Sequence, residues 1–143
     1  MTEISIEIKG LKETQREMER IVRDLRGEPY LNAMRRATLL VQRSAKIKAP
    51  VDTGRLRASI TPEVRWQGNT AIGVVGSNVE YAPFQELGTA AGARSMGTRM
   101  AASYWHAGTK GHPFLRPALE ENEERIVRML GDAVGNIVTE GGD

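Results

Sequence analysis

The residues best suited to chemistry are Val51-Asp52-Thr53-Gly54, an apolar residue followed by the Asp-Thr-Gly triplet that carries the catalytic carboxylate in aspartic proteolysis. That reaction needs two aspartates held face to face and sharing one proton, so a chain with one such triplet has to dimerise. The surroundings argue against it. Lys48-Ala49-Pro50 ends a helix where a buried strand is required, and Arg55-Leu56-Arg57 follows where a small residue is required. A dimeric aspartic protease is therefore the remote alternative, and the triplet reads as a joint. In that reading Asp52 or Thr53 hydrogen-bonds local backbone, while Gly54 takes a dihedral that other residues resist.

No other constellation supports catalysis. His106 and His112 are the only histidines, six apart in a glycine-rich stretch, and no nearby carboxylate or cysteine completes a metal site. Ser95 and Ser103 lack a nucleophile elbow. Gly92 to Gly97 has the spacing that opens a phosphate loop, but Thr98-Arg99 replaces the required Lys-Ser/Thr and no apolar strand precedes it. The expectation is a non-enzymatic chain without cofactor or metal. It contains no cysteine, which rules out disulfides and fits a reducing cytosol. The first residues lack a basic region followed by an apolar core, and no apolar run approaches the roughly 20 residues that cross a bilayer. A soluble, unexported protein with no membrane partner is expected.

Charge is distributed unevenly. Residues 1–60 carry thirteen basic against eight acidic side chains, and residues 113–143 carry three against seven. Arg35, Arg36, Arg43, Lys46, Lys48, Arg55 and Arg57 make a basic strip, while Glu120, Glu121, Glu123 and Glu124 make an acidic one. Such polarity serves head-to-tail contact between copies or orients the chain near DNA phosphates. A DNA-associated structural protein using residues 35–57 is the alternative function, although aromatic residues are too few for base stacking.

The elements that position these residues follow from periodicity. With 143 residues, 40% of them hydrophobic, one domain spanning 1–143 is expected. Ile4, Ile6 and Ile8 alternate with polar residues as a short strand. Residues 11–26 have helical spacing and end at Gly27. Residues 30–48 carry two apolar rows, and Pro50 stops that helix near Lys48. Ala58, Ile60, Val64 and Trp66 lie on one side of a strand, at an edge or bulged because of Pro62, and Gly68-Asn69 turns it into a second strand over 70–75. Residues 88–112 hold five glycines and six alanines; they read as an extended flexible loop, with 100–105 as a short strand or arm. Leu119, Ile126, Met129, Leu130, Ala133 and Ile137 repeat as a final helix, Gly131 and Gly135 mark its weakening end, and 139–143 form a disordered tail. The fold class is α+β: a small antiparallel sheet packed against two or three helices, with a long flexible loop.

Three segments taken in order carry a family resemblance: Ala49-Pro50-Val51-Asp52-Thr53-Gly54-Arg55-Leu56-Arg57-Ala58-Ser59-Ile60, then Tyr81-Ala82-Pro83-Phe84-Gln85-Glu86-Leu87-Gly88-Thr89, then Pro113-Phe114-Leu115-Arg116-Pro117-Ala118-Leu119. Together they resemble the neck or tail-component (tail completion) proteins of long-tailed bacteriophages, the family typified by the Hong Kong 97 phage. The resemblance spans about residues 30–130. It departs from the shorter family pattern between Thr89 and Pro113. It implies a structural virion protein of phage or prophage origin, assembled in the host cytoplasm and forming a homo-oligomeric ring at the head-proximal end of the tail. Sixfold symmetry would suit a tail tube. Its partners would be further copies of itself, other tail and head-connector proteins, and DNA passing through the lumen.

Physical roles can be given to the motif residues. Pro50 and Gly54 fix the joint, Tyr81 and Glu86 anchor the loop base by hydrogen bonds, and Phe114 and Leu115 dock the final helix. The stretch Pro50, Asp52, Thr53, Gly54, Arg55, Leu56 and Arg57, with Tyr81, Glu86, Gly88, Thr89, Phe114, Leu115, Arg116 and Pro117, is expected as joint or subunit interface. Glu120, Glu121 and Glu124 would form its acidic counterpart. Residues 88–112 are expected to order against neighbouring subunits or tail and connector proteins.

Overall fold

A computed structural model describes residues 10–52, 54–89 and 108–140. The element order is α1 (Leu11–Leu25), α2 (Glu28–Lys48), α3 (Arg55–Ser59), β1 (Ile60–Gln67), β2 (Thr70–Ser77), α4 (Ala82–Leu87), β3 (Gly88–Thr89), β4 (Thr109–Lys110) and α5 (Leu115–Thr139). This is an α+β arrangement in which α2 packs on both α5 and the β1–β2 hairpin.

The long helix α2 starts with Pro29 in its first turn and ends where Ala49 turns extended at ψ 127°, ahead of Pro50. Its small residues Ala33, Ala37, Thr38, Val41 and Ala45 are buried, which lets the hairpin and α5 approach closely. At Gly73 an added Cβ would lie 2.6 Å from Cγ2 of Thr38. The hairpin register pairs Ile60 with Ser77, Pro62 with Val75, Val64 with Gly73 and Trp66 with Ala71 without a bulge. These eight residues share the face toward α2, and Tyr30 at the start of α2 meets Trp66 at the tip with ring centroids 6.3 Å apart.

The helix α1 has no buried residue. Ile21 and Leu25 are half-buried, and Arg20 Nη2 donates to the Ile137 carbonyl at 3.4 Å, so α1 meets α5 through its C-terminal half. The main core is Val41, Ala45, Ala49, Leu56, Ile60, Val79, Ala82, Phe114 and Ala118, with Val75, Leu115 and Ile126 packed against it. It lies directly beneath the three motif segments.

Several expectations change. The strand does not begin at Ala58: Gly54 adopts φ +77° and opens a helical turn, Ala58 N–H donates to the Gly54 carbonyl at 3.0 Å, and the strand starts at Ile60. The joint is thus turn, short helix and strand. The final helix does not weaken at Gly131 and Gly135; it runs to Thr139, held by Ile137, which is buried. Thr139 therefore belongs to a helix and not to the tail. Only the ends of the expected 88–112 loop are described, and they pair: Gly88 with Lys110 and Thr89 with Thr109. The N-terminal strand, the 100–105 arm, Thr53, His106, Ser95, Ser103 and 141–143 lie outside the described residues.

Candidate assembly site

The three motif segments meet at one end of the molecule, around the start of α5. Leu115 begins this helix after Phe114, whose side chain supplies no capping hydrogen bond. The first amide groups of a helix need acceptors. Glu86, at the end of α4, provides them: Oε2 accepts from Phe114 N–H at 2.7 Å and from Leu115 N–H at 3.0 Å, and Oε1 accepts from Arg116 N–H at 3.0 Å. Burial pushes the Glu86 carboxyl up, but the three amide hydrogen bonds and the Arg116 guanidinium outweigh it and hold it below its ordinary value.

The α4 segment is itself braced from both sides. His112 N–H donates to the Gln85 carbonyl at 2.7 Å, and Thr109 N–H donates to Thr89 Oγ1 at 2.9 Å. Gly88 has φ +79°, and a Cβ there would run into the Thr109 carbonyl and lie 2.6 Å from Gly111 N. Only glycine fits at that crossing. Fully buried Phe114 then seats α5 on the core, worth about 1.5–3 kcal/mol in apolar burial.

The first motif arrives on the same scaffold. Leu56 of α3 is buried, and Ser59 Oγ donates to the Leu56 carbonyl at 2.7 Å while lying 2.6 Å from Ser77 Oγ. Ser77 Oγ also accepts from Val79 N–H at 3.2 Å, which ties the end of the hairpin to the approach to α4. Between joint and α4 lies a hollow of about 300 Å³ lined by Pro50, Asp52, Gly54, Leu56, Tyr81 and Gln85. Val51, Tyr81, Phe84 and Leu87 are all exposed, with Phe84 60% and Leu87 82% accessible. The motifs thus combine a buried, hydrogen-bonded frame with several exposed apolar side chains.

The expected anchors divide accordingly. Glu86, Gly88, Thr89, Phe114 and Leu115 build the frame. The Tyr81 carbonyl accepts from the Gln85 N–H at 3.0 Å, and Tyr81 is one of the residues that line the hollow. Arg116 and Pro117 sit in the first turn of α5, with Arg116 Nε 3.2 Å from Glu120 Oε1. Asp52 is exposed on a turn before a helix, so the buried strand setting of a protease carboxylate is not present around it. Among the described residues no group of three or more His, Asp or Glu side chains could hold a metal.

Part of the expected charge pairing is satisfied within the chain. Lys48 Nζ pairs with Glu121 Oε2, Glu120 with Arg116, and Arg35 Nη1 with Glu28 Oε2 at 2.7 Å. Among the described residues Glu124 makes no ion pair, and Arg36, Arg43 and Arg57 are exposed. The residues that sequence reasoning missed are Ser59, Ser77, Gly111 and His112. The close approach of Gly88 to Gly111 had one legible signal, a glycine on each side of the inserted segment. The serine link had none. Among the described residues no helix is long and apolar enough to cross a membrane.

A family model described as "Bacteriophage HK97-gp10, putative tail-component" matches residues 11–88, more than half of the chain, and so includes the first motif and the second as far as Gly88. No curated protein and no solved structure gives a match.

Proposed function

The chain belongs to the HK97-gp10-like family of bacteriophage tail components, and from that premise we propose that it is a non-enzymatic virion protein assembling as a homo-oligomeric ring at the head-proximal end of the tail. The observation that carries this reading is the exposure of four apolar motif side chains, Val51, Tyr81, Phe84 and Leu87, beside the hydrogen-bonded frame that Glu86, Gly88 and Phe114 build. A surface of this kind on a braced scaffold suits repeated docking of identical copies. The inserted residues between Gly88 and His112 start from the same place, so the contacts they make with a neighbouring subunit or connector would adjoin it.

Charge supplies the second half of the contact. Because Glu120 and Glu121 are engaged within the chain, while Glu123 and Glu124 make no ion pair among the described residues, Glu124 is the member of the expected acidic interface available to meet the basic joint of a neighbour at Arg57. The rival is a DNA-associated protein using exposed Arg36, Arg43 and Arg57, which would bind duplex DNA at micromolar concentration with steep salt dependence.

Electron microscopy of the protein, free and in virions carrying a labelled copy, tests the proposal. Rings, or label confined to the junction of head and tail, are expected. Label elsewhere in the virion, or absent from it, would overturn the reading.

A further inference from the structure

The solvent side of α2 carries a stripe that neither the core nor the joint uses. Arg36, Leu39, Arg43 and Ile47, spaced by three, four and four residues, share one face of the helix, opposite buried Ala37, Val41 and Ala45. All four are exposed, Ile47 at 71%, and among the described residues Arg36 and Arg43 make no ion pair. The outer side of α5 carries the opposite charge. Glu120, Glu124, Val127 and Gly131 lie on its exposed face with Glu123 beside them, away from buried Ala118 and Asn122. Val127 is 66% exposed, and a Cβ added at Gly131 would meet nothing within 4 Å. The first stripe alternates cations with large apolar side chains; the second places carboxylates next to a valine and a gap.

We propose that the α2 stripe of one copy docks on the α5 stripe of the next, an inference that rests on the proposal that this chain assembles with itself. Placed opposite Arg43, Val127 packs between Leu39 and Ile47, which lie one turn to either side of that arginine. Glu123 and Gly131 are then one turn to either side of Val127. Whichever way the helices run, Glu123 comes within one turn of the Arg43 guanidinium, and Gly131 gives one of the two large aliphatic side chains room to reach the helix backbone. Glu124 stays available to Arg57 of α3, which packs on α2. Charge complementarity identifies the occupant. A second copy supplies carboxylates at helical spacing beside an apolar side chain, whereas a nucleic acid would satisfy the arginines but set Leu39 and Ile47 against phosphates, where apolar area gains nothing. Val41 and Ala45 of α2 share one core with Ala118 of α5, so the two outer stripes point away from each other. The contact is therefore head-to-tail, the kind that closes into a ring when its rotation divides a circle.

The chain has no cysteine, so thiols can be placed singly. Chains carrying Arg43→Cys, mixed with differently tagged chains carrying Val127→Cys and treated with a short bismaleimide, should link to each other in the assembled protein and in virions. Neither variant should link to itself. Rings or virions without the mixed link, or self-links that match it, would overturn the interface and leave assembly standing. Absence of both self-association and incorporation into virions by the unmodified protein would overturn assembly, and the interface with it. Arg43→Glu should weaken self-association at least about tenfold, and adding Glu123→Arg to the same chain should restore most of the loss. Both positions are exposed, so each variant should keep the native melting temperature. If Arg43→Glu abolishes binding to duplex DNA at micromolar concentration and leaves self-association unchanged, the stripe is a nucleic-acid contact and the proposal falls.

Discussion

The Glu86 carboxylate accepts the three amide groups that open α5, across 28 to 30 positions of sequence. Replacing it by alanine leaves those donors without their acceptor and should cost about 1–2 kcal/mol, measured by urea unfolding. Its pH dependence has a definite sign. The folded state lowers the carboxyl below its ordinary value, so the stabilisation is present above the ordinary carboxylate range and is lost as pH falls through the folded value. The stability gap between the native sequence and Glu86→Gln should therefore be widest near neutrality and close as the pH falls below the ordinary carboxylate range; a gap independent of pH would remove the charge from the account. Gly88 is a second point of fixed chemistry. Gly88→Ala combines a left-handed backbone with a Cβ driven into the facing chain at Thr109 and Gly111. It should open the β3–β4 pairing, read out as lost exchange protection of the His112 amide, which donates to Gln85.

At the scale of elements, local signals decided which parts of the fold were legible in sequence. The two apolar rows of α2, its stop at Pro50 and the Gly68-Asn69 turn each act within a few residues, and α2 and the hairpin lie where those signals put them. The helix α3 has only five residues, too few to display a period, and Ala58 shares the parity of Ile60 by coincidence. The cap on α5 was invisible for the opposite reason: its acceptor is remote, and its one local trace is a helix start at Phe114 without a Ser, Thr, Asp or Asn cap. Glycines at 131 and 135 each cost a helix about 1 kcal/mol, yet burial of Ile137 beyond them carries α5 onward. The chemistry of α3 depends on its one buried side chain. Leu56→Ala should destabilise by about 2–5 kcal/mol, whereas Arg57→Ala on the exposed side should change stability by less than about 0.5 kcal/mol; thermal unfolding of the two variants distinguishes a packed helix from a loose joint.

For the whole molecule, the division between frame and surface predicts that folding and assembly can be separated by mutation. Phe84 and Leu87 project from α4 into solvent, while its backbone and Glu86 hold the frame. Phe84→Ser with Leu87→Ser should leave the melting temperature nearly unchanged, by less than about 0.5 kcal/mol in stability, and should abolish rings or incorporation into virions. Glu86→Ala should reduce assembly only in proportion to lost folding. The electrostatic half of the contact has its own signature. Arg57→Glu should weaken assembly, and Glu124→Arg in the partner copies should restore it, because the two charges would meet across subunits and not within one. Each single reversal also adds a like-charge clash, so recovery in the double variant beyond the sum of the single effects is the informative quantity, measured by sedimentation at low and high salt. High salt should weaken the native contact and shrink that recovery together. If neither changes, apolar packing of Val51, Tyr81, Phe84 and Leu87 accounts for the contact without the charges.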